Sequence, residues 1–405
     1  MSRLLPLFLA LLWAAGPALG QKLKDKNRPA NDAVQCPYTG GDAELLAAIG
    51  IQAVGGFPFS IHPSTKDLDE YFGDDLTIWL ETEHFRLGYG LGPYKVGGDE
   101  RNELRAELTA LQEVLPEVNP KARSLDSWLR AYLYAVRLEK LWVDMLELLN
   151  VEADIFPDGS KPWDTTGKFM GTGPNLGMKG KFEVLLLPSE SASTAYLRDH
   201  FGLATKLTQR WNLLDRDAMH LVVHTGQGSL KKDRALYGHV VFNQTQQMLN
   251  AYKHYSYEIP VWLLEGVAHW MERRISPKYN TFDSSEGATA ETTRKEDWEP
   301  PTRKMVNREE AVSMARLVNV KGFGELKLEH HFTTWSMIDF LVREHPQFLG
   351  VLMDRISGMT NEQFIPDGSG LWDVHREVFK ESLGMSYAQF DRAWQSWVLE
   401  NYRAQ

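Results

Sequence analysis

The stretch 236–274 contains side chains that could do metal chemistry: two imidazoles, a carboxylate and an amide. His239 and Asn243 are four residues apart, and so are Glu265 and His269. If each pair lies on a helix, its two side chains face the same side, one turn apart. Imidazole and carboxylate groups are usual zinc ligands, whereas an amide oxygen is a poorer one. The spacing would let Glu265 and His269 bind one metal ion together, and His239 and Asn243 lie at the same spacing, with the amide oxygen of Asn243 as the weaker candidate.

The chain around these residues predicts two helices joined by a turn. Apolar residues recur through 236–252, which favours a first helix, and a polar, aromatic link then leads to Pro260. Proline is tolerated in the first turn of a helix, where its missing N–H would have no partner. A second helix is predicted over 261–274, with an apolar run just before Glu265. The candidate ligands thus fall on a predicted pair of helices.

A nine-residue segment at 260–268, PVWLLEGVA, carries a family resemblance. It resembles the P-x-W-L-x-E-G-x-A phrase of gluzincin metallopeptidases, in the peptidase MA superfamily that includes thermolysin-like enzymes. In that family, HExxH on the preceding helix supplies two zinc-binding histidines and a glutamate that activates water. The resemblance implies that His239 is the first zinc ligand and Glu265 the third. It also implies a small sheet beside the helix pair.

The HExxH half of the family motif is altered. Residues 239–243 read HVVFN, so Val240 stands at the position of the general base and Asn243 at that of the second histidine. A valine side chain cannot accept a proton, and loss of a general base costs about 100- to 10,000-fold in rate. The sequence therefore predicts a related fold with an impaired catalytic site.

Other histidines could complete a metal site. His269 lies on the second predicted helix. His220 and His224 flank a predicted strand that precedes the first predicted helix. His330 and His331 stand where thermolysin-like enzymes carry a downstream histidine or tyrosine that stabilises an oxyanion, so the resemblance makes both catalytic candidates. Three protein ligands are the minimum for a catalytic zinc. The alternative, that these histidines are packing or surface residues, stays open.

Composition argues against some classes of partner. The chain has 405 residues, of which 43% are hydrophobic and 11% aromatic, which predicts a substantial core. The formal net charge of −10 gives no electrostatic basis for binding nucleic acid or an anionic membrane surface. Cys36 is the only cysteine, so no disulfide can form within the chain.

Residues 1–20, MSRLLPLFLALLWAAGPALG, have the pattern of a secretory signal peptide. Arg3 gives a positive start, residues 4–15 form a short apolar run, and small residues at 18–20 suit cleavage. The apolar run is shorter than the roughly 20 residues that a membrane helix needs. We therefore predict a secreted or periplasmic protein with no membrane span after cleavage.

The order of the remaining elements predicts an α+β fold. A small mixed sheet would flank the metallopeptidase-like helix pair and be followed by a mainly helical C-terminal part. The predicted strands are 76–80, 84–87, 182–187 and 219–224, and the predicted C-terminal helices are 308–318, 333–343, 347–356 and 387–402. The predicted divisions are a signal peptide (1–20), a leader with a short helix (21–70), a gluzincin-like α+β domain (71–275) and a helical C-terminal part (276–405). The polar segment 279–298 predicts a long irregular loop.

Two functional hypotheses follow from these patterns. The first is an exported protein with a metallopeptidase-like fold that is catalytically impaired and uses the former active-site cleft for binding. The second is an active zinc-dependent peptidase or hydrolase with non-standard ligands. The sequence leaves the cofactor open, with zinc as the candidate, and leaves the partner open between a peptide and a cell-envelope ligand. A third reading, polysaccharide binding by exposed aromatic residues, rests only on the 13 tryptophans.

Overall fold

The structure is a computed structural model that describes residues 31–73, 77–160, 171–254, 259–282, 296–359, 361–363 and 367–404. The predicted signal peptide lies outside the described residues, and so does the leader up to residue 30. Residues 283–295 of the predicted irregular loop also lie outside them. The predicted α+β class, with a mixed sheet and a helical C-terminal part, is confirmed.

A six-stranded mixed sheet forms the N-terminal half of the fold. Its strands in spatial order are β1 (Ala53–Val54), β2 (Ile78–Glu81), β3 (Phe85–Tyr89), β6 (Phe182–Leu187), β8 (Ala218–His224) and β7 (Gln209–Leu213). β6 is parallel to both of its neighbours, and the outer pairs are antiparallel. β4 (Tyr94–Lys95) and β5 (Ser124–Leu125) form a separate pair. The central strands are buried throughout because helices cover both faces.

The described chain up to residue 275 contains seven α-helices, and those in contact with the sheet cover both of its faces. Their bounds are α1 (Ala43–Ala48), α2 (Thr65–Phe72), α3 (Arg101–Val114), α4 (Ser127–Leu149), α5 (Glu190–Phe201), α6 (Asp233–Ala251) and α7 (Val261–Ile275). Short 3-10 helices occur at Ala33–Gln35, Ala153–Ile155, Leu214–Arg216 and Phe323–Glu325. Leu186 and Leu221 point into the main hydrophobic cluster with α4 and α6, whereas Leu185 and Val222 pack with Tyr196 of α5 on the opposite face. The alternation of side chains along each strand produces these two faces.

The C-terminal part is helical, with one difference from the sequence prediction. Its helices are α8 (Glu299–Asn307), α9 (Met314–Leu317), α10 (Leu328–Glu344), α11 (Phe348–Ile356), α12 (Leu371–Leu383) and α13 (Tyr387–Asn401). The predicted helix over 308–318 is wrong, because α8 ends at Asn307 and only the short α9 follows. Glu309 has a φ of +57°, a left-handed conformation that an L-residue does not adopt within a helix.

Helix α7 packs closely against both α6 and α10, so three helices meet around it. Gly266 makes the contact with α10 possible. A Cβ atom at this position would lie 2.9 Å from the carbonyl oxygen of Thr334 and 2.8 Å from Cγ1 of Ile338. The absence of a side chain therefore brings the residues flanking Gly266 within contact distance of α10.

One hydrophobic cluster joins the two predicted divisions at 71–275 and 276–405. It contains residues of α4 and α7 together with residues of α10 to α13, for example Trp142, Leu263, Phe340 and Trp394. The division of the chain at residue 275 stays a prediction. Within the described residues, no helix combines the length and the apolar content that crossing a membrane requires.

Glu139 of α4 connects this helix to the turn between β2 and β3. Its carboxylate accepts hydrogen bonds from the backbone N–H of His84 (2.9 Å) and contacts the His84 ring at 2.7 Å. Burial would raise the pKa of the Glu139 carboxyl, but hydrogen bonds from His84 and Thr82 outweigh burial and lower the pKa. The ionised carboxylate is therefore favoured in the folded chain.

We expect Glu139→Gln to lower the free energy of unfolding by about 1–3 kcal/mol at pH 7, because the amide nitrogen cannot accept these bonds. A carboxyl with a depressed pKa in the folded state stabilises above its unfolded pKa, and this contribution is lost as pH falls through its folded pKa. Urea unfolding from pH 7 to pH 3 should show the two proteins converging as the pH falls. A constant difference across that range would contradict the assignment.

Candidate metal centre

The candidate centre lies where α7 meets α10. Glu265 and His269 are one turn apart on α7, so both side chains project from the same face. His331 is in the first turn of α10 and faces them. All three side chains are completely buried, with 0% of their surface exposed. The fold therefore brings together residues that are 62 positions apart in the chain.

Three ligand atoms of this group form a nearly equilateral triangle. Nε2 of His269 lies 3.1 Å from Oε1 of Glu265 and 3.1 Å from Nδ1 of His331. Nδ1 of His331 lies 3.5 Å from the same Glu265 oxygen. A hydrogen atom on Nε2 of His269 can point at only one of its two neighbours in the triangle, Oε1 of Glu265 or Nδ1 of His331. Among the described residues, Oε1 of Glu265 accordingly receives no hydrogen bond of good geometry, although it is buried.

The size of the triangle fits a divalent metal ion. Ligand atoms that bind a tetrahedral zinc at about 2.0–2.2 Å are separated from one another by about 3.3 Å. The three edges of the Glu265, His269 and His331 triangle are close to that separation. Two imidazole nitrogens and one carboxylate oxygen also match the donor types that zinc prefers. These residues could hold zinc and leave one tetrahedral position open.

A second carboxylate orients His269. Nδ1 of His269 donates to Oε1 of Glu272 at 2.7 Å, so Nε2 of the same ring is directed at the triangle. The backbone N–H of Thr281 donates to both oxygens of Glu272, at 3.1 and 3.0 Å. Histidine ligands of metals usually donate their other ring N–H to a carboxylate in this way. Glu272 was not among the sequence candidates, although its position three residues after His269 puts it on the same side of the helix.

The second oxygen of Glu265 is held separately. Nε2 of Gln246, on α6, donates to Oε2 of Glu265 at 3.1 Å. The carboxylate thus offers only Oε1 to the triangle. Gln246 was also missed in the sequence analysis, because the motif directs attention to residues 239–243 rather than to the next turn of α6.

Aromatic rings surround the two imidazoles. The His269 ring lies 5.1 Å from the ring of Phe242, 5.2 Å from that of Phe282 and 5.0 Å from that of Trp298, measured between centroids. Phe282 also packs edge-on against His331, at 4.8 Å. These rings make the surroundings apolar, and electrostatic interactions inside such a site are strong.

Burial and ionic contacts set the charges of the group. Burial would raise the pKa of the Glu265 carboxyl, but contacts with His269 and His331 outweigh it and lower this pKa. Burial would lower the pKa of His269, but Glu265 and Glu272 outweigh it and raise this pKa. For His331, burial prevails and its pKa is lowered. A proton on His269 and a divalent cation are thus alternative sources of positive charge for the Glu265 anion.

His239 and Asn243 are close to this centre but are not in the triangle. Nε2 of His239 lies 2.7 Å from the Thr208 hydroxyl and 3.3 Å from Nδ2 of Asn243, and Nδ1 lies 3.2 Å from the Thr281 hydroxyl. Burial, followed by the charge of Arg210, lowers the pKa of His239 to about 3, so its ring is neutral. The structure brings together Glu265, His269 and His331 from the sequence candidates and leaves His239 and Asn243 on neighbouring contacts.

The remaining histidine candidates have other contacts. Nδ1 of His330 accepts a hydrogen bond from the backbone N–H of Lys327 at the start of α10. The His220 ring contacts the carboxylate of Glu183 and the hydroxyl of Tyr196, while Nε2 of His224 contacts the Lys206 carbonyl oxygen. None of these three is in the group formed by Glu265, His269 and His331.

Comparisons with known proteins assign no family to this chain. No family model and no curated protein sequence matches the chain. The functional assignment therefore depends on the residues and their contacts.

Proposed function

We propose that this protein is an exported, metallopeptidase-like protein that binds zinc through Glu265, His269 and His331 and is impaired in hydrolysis. The observation that carries the proposal is the triangle of three ligand atoms with edges of 3.1, 3.1 and 3.5 Å. The bond from His269 to Glu272 supports it, because that bond directs the free nitrogen of His269 at the same point.

The same residues argue for binding rather than efficient turnover. A bound zinc would supply a Lewis acid that polarises a carbonyl group. General-base catalysis requires a side chain that can accept a proton, and Val240, at the position of the family's catalytic glutamate, cannot. Glu265 is committed to the triangle, and Glu272 is committed to His269 and Thr281. The aromatic rings around the imidazoles suit an apolar or peptide group, so we propose a peptide or a cell-envelope component as the ligand.

A second candidate function is a zinc-dependent hydrolase with this non-standard ligand set. One observation favours it: the group has three protein ligands, the number found in catalytic zinc sites, whereas structural zinc sites usually have four. Both candidates share the metal site, and they differ in whether zinc supports turnover.

Metal analysis of the purified full-length protein tests the proposal, with two adjacent histidines as a matched pair. We expect stoichiometric zinc in the wild type and in His330→Ala. We expect zinc to be lost in His331→Ala, because His331 belongs to the triangle and His330 does not. A wild type that remains metal-free after zinc addition and dialysis would refute the proposal.

A peptidase assay on the same samples separates the two candidate functions. Turnover that needs zinc and disappears in His331→Ala would establish the hydrolase, whereas zinc without turnover would support the binding protein.

A further inference from the structure

We propose that Arg210 is a positioning residue for the metal centre, because its guanidinium group begins two chains of hydrogen bonds that end on Glu265 and on His269. The inference rests on the proposed function, since it concerns how two of the proposed zinc ligands are oriented. Arg210 does not itself belong to the ligand group.

Arg210 reaches the centre from the sheet. It lies on β7, at the edge of the sheet, and its guanidinium group meets two amide side chains of α6. Nη1 donates to Oδ1 of Asn243 at 2.8 Å, and Nη2 donates to Oε1 of Gln246. Asn243 and Gln246 are three residues apart, so the planar fork of the guanidinium group can contact both.

The first chain passes through Gln246. A guanidinium group can only donate hydrogen bonds, so the amide oxygen of Gln246 must face Arg210. The amide nitrogen therefore faces the opposite way, towards Oε2 of Glu265 at 3.1 Å. This orientation holds one carboxylate oxygen of Glu265 and leaves the other for the triangle.

The second chain begins at Asn243 in the same way. Its amide oxygen accepts from Arg210, so its nitrogen donates, to the carbonyl oxygen of His239 at 2.8 Å and towards Nε2 of the His239 ring at 3.3 Å. That ring nitrogen is then an acceptor, and the Thr208 hydroxyl, 2.7 Å away, donates to it as well. Because the His239 ring is neutral, its proton is on Nδ1, which donates to the Thr281 hydroxyl at 3.2 Å.

Thr281 connects His239 to His269 through the carboxylate of Glu272. The Thr281 hydroxyl is held by His239, and its backbone N–H donates to both oxygens of Glu272. Glu272 in turn accepts the Nδ1 proton of His269 at 2.7 Å. The links run in one direction when the Asn243 amide and the Thr208 hydroxyl both donate to Nε2 of His239. His239 is thus a link in a hydrogen-bond chain, which is a different role from the zinc ligand that the sequence motif suggests.

Loss of the Arg210 guanidinium group would remove the hydrogen-bond donors that fix the orientation of the Asn243 and Gln246 side-chain amides. A freed Gln246 side chain can turn its oxygen towards Glu265, where two acceptors repel each other, and a freed Asn243 can do the same towards His239. We expect Arg210→Met to weaken zinc binding by about 10- to 100-fold, the range typical for removing the groups that orient metal ligands. Arg210→Lys should recover part of this loss, because an ammonium group donates but lacks the fork.

The test measures zinc affinity by competition with a chelator, together with the visible absorption of the Co²⁺-substituted protein. The control is Arg198→Met on α5, where the arginine is exposed and pairs only with the adjacent Asp199 among the described residues. We expect the control to match the wild type. His239→Phe should weaken zinc binding about tenfold, whereas a direct ligand would lose it altogether. Arg210→Met should have a smaller effect in a Gln246→Leu background, because one chain is already broken.

Two results would overturn the inference. Arg210→Met could reduce thermal stability yet keep the zinc affinity within twofold and the Co²⁺ spectrum unchanged, which would make Arg210 a purely structural residue. The ring nitrogen signals of His239, measured by ¹⁵N NMR, could place its proton on Nε2, which would break the second chain. A wild type that binds no zinc would refute the proposed function together with this inference, whereas zinc binding that is indifferent to Arg210 would refute the inference alone.

Discussion

Gly266→Ala is expected to destabilise the fold by about 1–3 kcal/mol and to weaken zinc binding in the same protein. The added Cβ would lie 2.9 Å from the carbonyl oxygen of Thr334, and backbone cannot move aside as the end of a flexible side chain can. Helices α7 and α10 must therefore separate. Because α7 carries Glu265 and α10 carries His331, the separation would open the triangle, and we expect a loss in zinc affinity of about 10- to 100-fold. Chemical unfolding and chelator competition measure the two effects.

A second helical glycine provides the control. In Gly238, on α6, the nearest atom to an added Cβ is the Glu272 carbonyl oxygen at 4.0 Å, an ordinary contact distance. Gly238→Ala should therefore leave zinc affinity unchanged and raise stability by about 0.5–1 kcal/mol, since alanine is the better helix former. If both substitutions behave alike, close contact between α7 and α10 does not shape the centre.

His269→Leu is expected to have the largest effect on stability, about 3–5 kcal/mol, as well as to abolish zinc binding. The imidazole lies between two buried carboxylates, 3.1 Å from Glu265 and 2.7 Å from Glu272. Leucine would leave both carboxylates without this partner in an apolar surrounding, and uncompensated buried charge is costly. Thermal and urea unfolding of the full-length protein measure the loss.

The double variant His269→Leu with Glu272→Gln tests the physical reason. It removes one of the two buried carboxylates that His269→Leu leaves without their histidine partner, while the Thr281 N–H keeps an oxygen acceptor. We expect the double variant to recover part of the lost stability without recovering zinc binding. A double variant less stable than His269→Leu alone would show that shape, rather than charge, dominates at this position.

Elements with a strong periodic pattern were predictable from the sequence. The strand Phe182–Leu187 is apolar except for Glu183, and the helix Val261–Ile275 follows Pro260 and begins with an apolar run, so both were located to within one or two residues. The edge strand Gln209–Leu213 was missed because its residues are half-exposed and mostly polar, which removes the alternating signal. The break at Glu309 was missed because a left-handed glutamate has no marker in a single sequence.

The candidate centre was predictable only in part. The sequence pointed to Glu265 and His269 as metal ligands through their helical spacing, and to His331 only through the family resemblance, as one of two downstream histidines. It could not select His331 over His330, since the choice depends on how α10 is rotated against α7. It also could not find Arg210, whose contacts with α6 depend on the sheet bringing β7 to that helix. Such contacts are set by tertiary packing and have no local pattern.

The triangle has a consequence for how this chain resists unfolding. Cys36 is the only cysteine, and it is buried with its sulfur accepting a hydrogen bond from Tyr132, so the fold has no internal disulfide. A zinc ion joining His269 and His331 would close a loop of more than 60 residues, as a cross-link does. Closing a long loop reduces the conformational entropy of the unfolded chain. In this protein, a bound metal ion would thus supply the kind of cross-link that a chain with one cysteine cannot form within itself.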